Sequence, residues 1–151
     1  MTTDIIRFLN TVMAGLLAGI LLGICLGYDP RNLSAGAYIE QQQNAISALN
    51  TLMPLVGLCT IILTLISSYL QKSNNLVFVT LLIAAILLII SGLITRFGNQ
   101  PLNTIVMTFK KENVPSSWTE LRDKWWSFHI MRTITALIAF ILIAWMAIRK
   151  N

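Results

Sequence analysis

Between Trp118 and Thr133 the chain reads WTELRDKWWSFHIMRT, a stretch that holds the only histidine of the protein. As a helix at 100° per residue, it places Trp118, Arg122, Trp125, His129 and Arg132 within about 80° of arc. Indole, guanidinium and imidazole therefore share one stripe. Directly behind it comes an apolar run, residues 134–148, suited to lipid. A cationic, aromatic face running into a membrane span is costly unless it lines a cavity or a protein interior. The alternative is a helix end anchored at the headgroups, where Trp and Arg are common, although an anchor needs no single face. A neutral imidazole beside guanidinium groups can take a proton from a carbon acid while the arginines hold the resulting anion. On this reading His129 is the base and Arg122 and Arg132 hold the anion. Against it stands a histidine that only hydrogen-bonds at the mouth of a bundle.

The remaining inventory mainly excludes. One histidine and six acids cannot build the paired Glu-x-x-His motifs of a di-iron bundle, nor the three histidines of a catalytic zinc. No metal site is expected. There is no Gly-rich phosphate loop and no G-x-S-x-G elbow. A haem held by His129 alone is the one cofactor alternative; otherwise none is expected. Cys25 and Cys59 lie in separate apolar segments without a C-x-x-C pair, which argues against thiol–disulfide catalysis.

These residues need a scaffold, and the composition names its solvent. Of 151 residues, 56% are hydrophobic and 11% charged, with a mean hydropathy of +0.72; soluble domains carry about a quarter charged residues. The length suits a single domain, 1–151. The net charge of +5 is spread without a long basic run, pointing to a membrane surface and not to nucleic acid. Four stretches approach the roughly 20 residues a membrane helix needs: about Ile6–Leu26, Leu52–Leu70, Leu76–Thr95 and Ile130–Ile148. The expected fold is all-α, a four-helix transmembrane bundle. The first run lacks a clear cleavage site and reads as a retained span, not a signal peptide.

Gly15, Gly19, Gly23 and Gly27 recur every four residues in the first span, an interval that admits close helix packing. Packing inside the bundle is the preferred reading, with a homo-oligomer seam as the other. Tyr28-Asp29-Pro30 ends the span. Ser34 caps a second helix, AGAYIEQQQNAISALN, too polar for lipid. It reads as a polar extension of helix 2 that projects into water and enters the membrane near Leu52, kinked at Pro54. Glu40, Gln43, Ser47 and Asn50 share one side of it, as a solvated face or a ligand pocket.

QKSNN, residues 71–75, turns the chain into the third span. Gly98 is expected to stop that span and Pro101 to start another helix. Leu102, Ile105, Val106 and Phe109 then predict a short interfacial helix before helix 4. Ser116 or Ser117 should cap the last helix, with Glu120 closing a capping box. Four spans put Tyr28–Asn50 and Thr95–Trp126 at one mouth, with both termini and the QKSNN turn opposite. The mouth carries Arg31, Arg96, Lys110, Lys111, Arg122 and Lys124, against Arg7, Lys72, Arg149 and Lys150. The positive-inside rule leans toward a cytoplasmic mouth, but site arginines enter that tally, and orientation stays open.

Asn99-x-Pro101-Leu102-Asn103 after the third span, and Trp118-x3-Arg122-x2-Trp125-x3-His129-x2-Arg132-Thr133 before the fourth, resemble the integral-membrane anthrone oxygenase family. These are small four-span proteins, mostly of unknown function. Tyr38, Gln42, Asn50 and Met53-Pro54 are similar but less specific, and the resemblance covers essentially the whole chain. It implies oxidation of an anthrone-like carbon acid to a quinone with molecular oxygen, substrate-assisted and cofactor-independent. His129 would deprotonate the carbon, and Arg122 and Arg132 would stabilise the enolate. Asn99 and Asn103 would bond substrate oxygens, Trp118 and Trp125 would stack on its rings, and Gln42, Gln43 and Tyr38 would complete the binding wall. If an enzyme, the protein is an oxygenase-type oxidoreductase acting on a lipophilic aromatic molecule, expected in a bacterial cytoplasmic membrane. The competing expectation is a non-catalytic membrane module that binds a lipophilic ligand or a partner protein at the same mouth.

Overall fold

The structure, a computed structural model, describes residues 1–149; Lys150, counted above with the termini, lies outside them. Helix α1 spans Thr2–Gly27, α2 Ala35–Leu49, α3 Leu52–Leu70, α4 Asn75–Ile94, α5 Gln100–Val106 and α6 Trp118–Ile148. Four helical stretches, containing α1, α3, α4 with α5, and α6, are long and apolar enough to cross a membrane. They match the four expected spans. Helix α6 packs on α4 and α1, and α3 closes the ring by packing on the same two. In lipid the backbone must satisfy its own polar groups, and helices do so within each segment.

Small side chains allow the close approach. Ala14 and Ala18 of α1, Ala84 and Ala85 of α4, and Ala136 and Ala139 of α6 are all buried. The glycine stripe does not do this job. Only Gly15 meets a neighbour, the Phe140 ring, while a Cβ at Gly19, Gly23 or Gly27 would touch nothing within 4 Å. The packing expected of that stripe falls to the alanines one position before Gly15 and Gly19.

The end away from the mouth is tied by polar groups. Arg7 Nη2 donates to the carbonyls of Met146 (3.1 Å), Ala147 (2.7 Å) and Arg149 (2.7 Å), covering acceptors that the last turn of α6 leaves open. Thr64 Oγ1 lies 2.8 Å from Asn10 Oδ1, and Ser68 Oγ donates to the Phe78 carbonyl at 3.0 Å, joining α3 to α1 and α4.

At the mouth, four expectations change. The second helix does not run on into the membrane: it stops at Leu49, and α3 restarts at Leu52 with Pro54 in its first turn, where a missing N–H is harmless. Gly98 does not stop a helix either. The third span continues from α4 through a π-helical turn, Thr95–Asn99, into α5, with the Gln100 N–H donating to the Thr95 carbonyl. The widened turn carries the chain past Pro101, and the segment expected as a separate interfacial helix prolongs the span to Val106. Glycine is needed at 98 for another reason: a Cβ there would sit 2.7 Å from the Phe128 ring. Ser117 precedes α6 without a side-chain cap, since its φ of −81° and ψ of 4° leave the extended geometry that capping needs. Ser34, by contrast, accepts from the Ala37 N–H at 3.4 Å as expected.

Candidate functional site

Helix α6 has 31 residues, about 46 Å at 1.5 Å per residue, against a hydrocarbon layer of about 30 Å. Its first third therefore stands at or beyond the membrane boundary, beside α2 and α5. Gln43 Nε2 binds α2 to the end of α5 by donating to the carbonyls of Val106 and Phe109, both at 3.0 Å. Lys111 pairs with Glu40 across the same junction. The α2 segment and the Thr95–Trp126 segment thus meet at one end of the bundle.

The stripe on α6 divides into two halves. In the outer half Trp118 lies against Tyr38, with ring centroids 5.7 Å apart. Arg122 sits over the Trp118 ring at 5.0 Å and pairs with Asp123. Trp118 packs with Leu121 against a cluster of Tyr38, Ile39, Val106 and Phe109. The Tyr38 hydroxyl is buried without a partner, and burial raises its pKa to about 12.

The inner half is built around His129, which is fully buried. Trp125 stacks on the imidazole at 5.2 Å, with planes 1° apart, and Trp126 covers it at 5.6 Å and 21°. Both ring nitrogens are engaged. Arg132 Nε and Nη2 lie 3.2 and 2.9 Å from Nδ1, and Nε2 lies 3.2 Å from the Leu21 carbonyl. A guanidinium only donates and a carbonyl only accepts, so Nδ1 offers its lone pair to Arg132 and the Nε2–H donates to Leu21. The imidazole therefore holds a guanidinium in place and joins α6 to α1. It does not fit an axial haem ligand, because both ring nitrogens are taken and two indoles stack against the ring.

Arg132 faces a cavity of about 340 Å³ whose walls come from α1, α2, α3, α5 and α6 with the Tyr28 and Thr95 turns. Among the described residues it is the only charged side chain in that wall. It makes no ion pair among the described residues; Nη1 bonds to Thr95 Oγ1 at 3.3 Å, and the guanidinium lies 6.0 Å from the centre of the Trp125 ring. The rest of the wall includes hydrogen-bonded pairs. The Tyr28 hydroxyl donates to Gln42 Oε1 at 3.0 Å. Trp125 Nε1 donates to Asn103 Oδ1 at 2.8 Å, and Asn103 Nδ2 to Asn50 Oδ1 at 2.9 Å. Ile24, Ile46, Leu49 and Met53 supply the apolar surface. The exposed Gln41, Asn44 and Asn50 form a polar rim.

Of the residues singled out in the sequence, Trp125, Arg132, Gln42 and Asn103 line the cavity. His129, Arg122, Trp118, Asn99, Gln43 and Tyr38 do not. Asn99 is buried and donates from Nδ2 to the Trp125 backbone carbonyl at 3.0 Å, tying the π-helical turn to α6. Tyr28 and Thr95 reach the wall although sequence reading treated them only as span ends. Their one signal was a hydroxyl at each end of a span that returns to the same mouth.

Residues 43–142 match the family model for anthrone oxygenase. That region runs from α2 through most of α6 and contains Arg132, His129, Trp125 and Asn103. No curated protein and no solved structure matches the chain.

Proposed function

Because the chain belongs to the anthrone oxygenase family, we propose that it is a membrane oxygenase whose cavity holds the enolate of a lipophilic aromatic carbon acid against Arg132. The observation that carries this reading is the guanidinium itself: it lies in a largely apolar wall without a carboxylate partner. A charge in such surroundings is costly until a counter-charge arrives. Trp125 offers a flat face for an aromatic ring, and the Tyr28–Gln42 and Asn103–Asn50 pairs offer donors and acceptors for ring oxygens.

Pairing with Arg132 favours ionisation of the carbon acid. A hydrogen bond to a charged group is worth about 1.5–3 kcal/mol, or roughly one to two units of substrate pKa. The proton leaves through the polar rim to water. The electron-rich enolate then reacts with molecular oxygen: one oxygen atom becomes the new carbonyl and the other leaves as water with the two hydrogens of the carbon. His129 acts through Arg132, as a positioning residue and not as the base. Arg122 has no role at the cavity in this account, since it stands against Trp118 and Asp123.

Oxygen uptake with anthrone, measured on the protein in nanodiscs, tests the reading. Arg132→Gln should lower kcat/KM about a hundredfold while the helical circular dichroism is retained. Equal turnover in the variant, or none above empty nanodiscs in the native protein, would remove the proposed reaction. The absence of any carboxylate or imidazole from the described cavity wall favours the second reading, plain binding of an anionic lipophile. Saturable binding without oxygen uptake would establish it.

A further inference from the structure

A second cavity, of about 240 Å³, adjoins the first along a wall of Leu21, Met53, Pro54, Thr95 and Arg132. Leu17, Ile61 and Leu88 make the rest of its wall apolar on α1, α3 and α4, Ser91, Arg96 and Gln100 add polar groups on the third span, and it reaches the surface between α3 and α4 at Gly57, Leu58 and Gly92. Leu58 is exposed there and so are Leu55, Ile62, Ile89 and Leu93 around it, the surface a bilayer covers. Gly57 lies five residues into α3, about 7.5 Å below its start, at hydrocarbon depth and not at the aqueous rim. The two glycines leave the gap: a Cβ on either would meet nothing within 4 Å.

Resting on the reading of Arg132 as the anchor for an anionic head, we infer that the ligand is an amphiphile that occupies both cavities. Its acidic aromatic ring sits in the larger one, and a hydrocarbon substituent lies in the smaller one and projects between α3 and α4 into the bilayer. Arg132 lines both spaces and marks where head gives way to tail. The two volumes together fall within the range of small-molecule sites. The tail needs no extra driving force, because lipid chains and an apolar protein wall are equivalent surroundings for it. The second cavity therefore grants passage to a substituted ring and adds little affinity for the tail itself.

The test compares naphthol with an octyl-substituted naphthol, by equilibrium dialysis of protein in phosphatidylcholine nanodiscs against empty ones. The native protein should bind both. Gly57→Phe and Gly92→Phe fill the gap from opposite walls, so misfolding of one leaves the other informative. Each should weaken the octyl compound about tenfold or more and leave naphthol within about twofold. Unchanged octyl binding in both variants would assign the gap to lipid chains alone and overturn the inference, as would equal loss of both probes. Arg132→Gln separates the underlying reading: it should weaken both probes alike. If it weakens neither, the anchor fails while the glycine result still decides the tail.

Discussion

His129 illustrates how a residue's chemistry is decided by what its atoms already hold. An imidazole with Nδ1 facing a guanidinium and Nε2 facing the Leu21 carbonyl has no lone pair left for a substrate. Asparagine places an acceptor oxygen close to where Nδ1 stands, whereas leucine places none. His129→Asn should therefore keep kcat/KM for anthrone oxidation within about tenfold. His129→Leu, which leaves the Arg132 donors unsatisfied at a cost of about 1–3 kcal/mol, should lower it about a hundredfold. Equal inactivity of the two, with both folded, would restore His129 as the base. The stripe itself was legible in the spacing of Trp118, Arg122, Trp125, His129 and Arg132. The split of roles within it was not, because it depends on Leu21, 108 residues before His129, and on Tyr38, 80 residues before Trp118, separations no helical period can register.

Helices were legible where length and hydropathy decide, and illegible where a distant side chain does. The four spans follow from apolar runs alone. Gly98 and Pro101 look like a stop and a restart because those residue types usually punctuate, yet the helix passes through both on a π-helical turn. What demands glycine is Phe128, one helix away. Gly98→Ala should cost about 1–3 kcal/mol by overpacking. Gly19→Ala, on a helix face where a Cβ meets nothing, should be neutral or stabilise by up to about 1 kcal/mol. Thermal unfolding in one detergent would rank them; equal Tm values would contradict the Phe128 contact. The second helix shows the opposite lesson. Pro54 was expected to kink a continuous rod, but placed in a first turn it marks a fresh start, and that break lets α2 lie over the cavity.

At the scale of the whole molecule, the chain has two unlike ends: one open and lined by Gln41, Asn44 and Asn50, one tied through Arg7, Asn10 and Ser68. Cysteines placed at Gln41 and Ser73, with the native thiols replaced, should react with an impermeant maleimide from opposite sides of the membrane. Labelling of both from the same side would contradict the four-span topology. The single mouth was legible from the parity of the spans; the cavity's walls were not, since they join residues of five helices. The Arg7 clasp also bears on how the protein comes into being. Arg7 is made well before its acceptors at Met146, Ala147 and Arg149; Leu21 likewise waits for His129. Chains emerge from the ribosome at about 5–20 residues per second, so α1 spends many seconds beside α3 and α4 before α6 exists. Both ends of α1 are fastened by α6, and the guanidinium in the cavity wall is delivered in that same step. On the proposed reading, the cavity gains its anchor for an anionic ligand only as α6 closes the bundle.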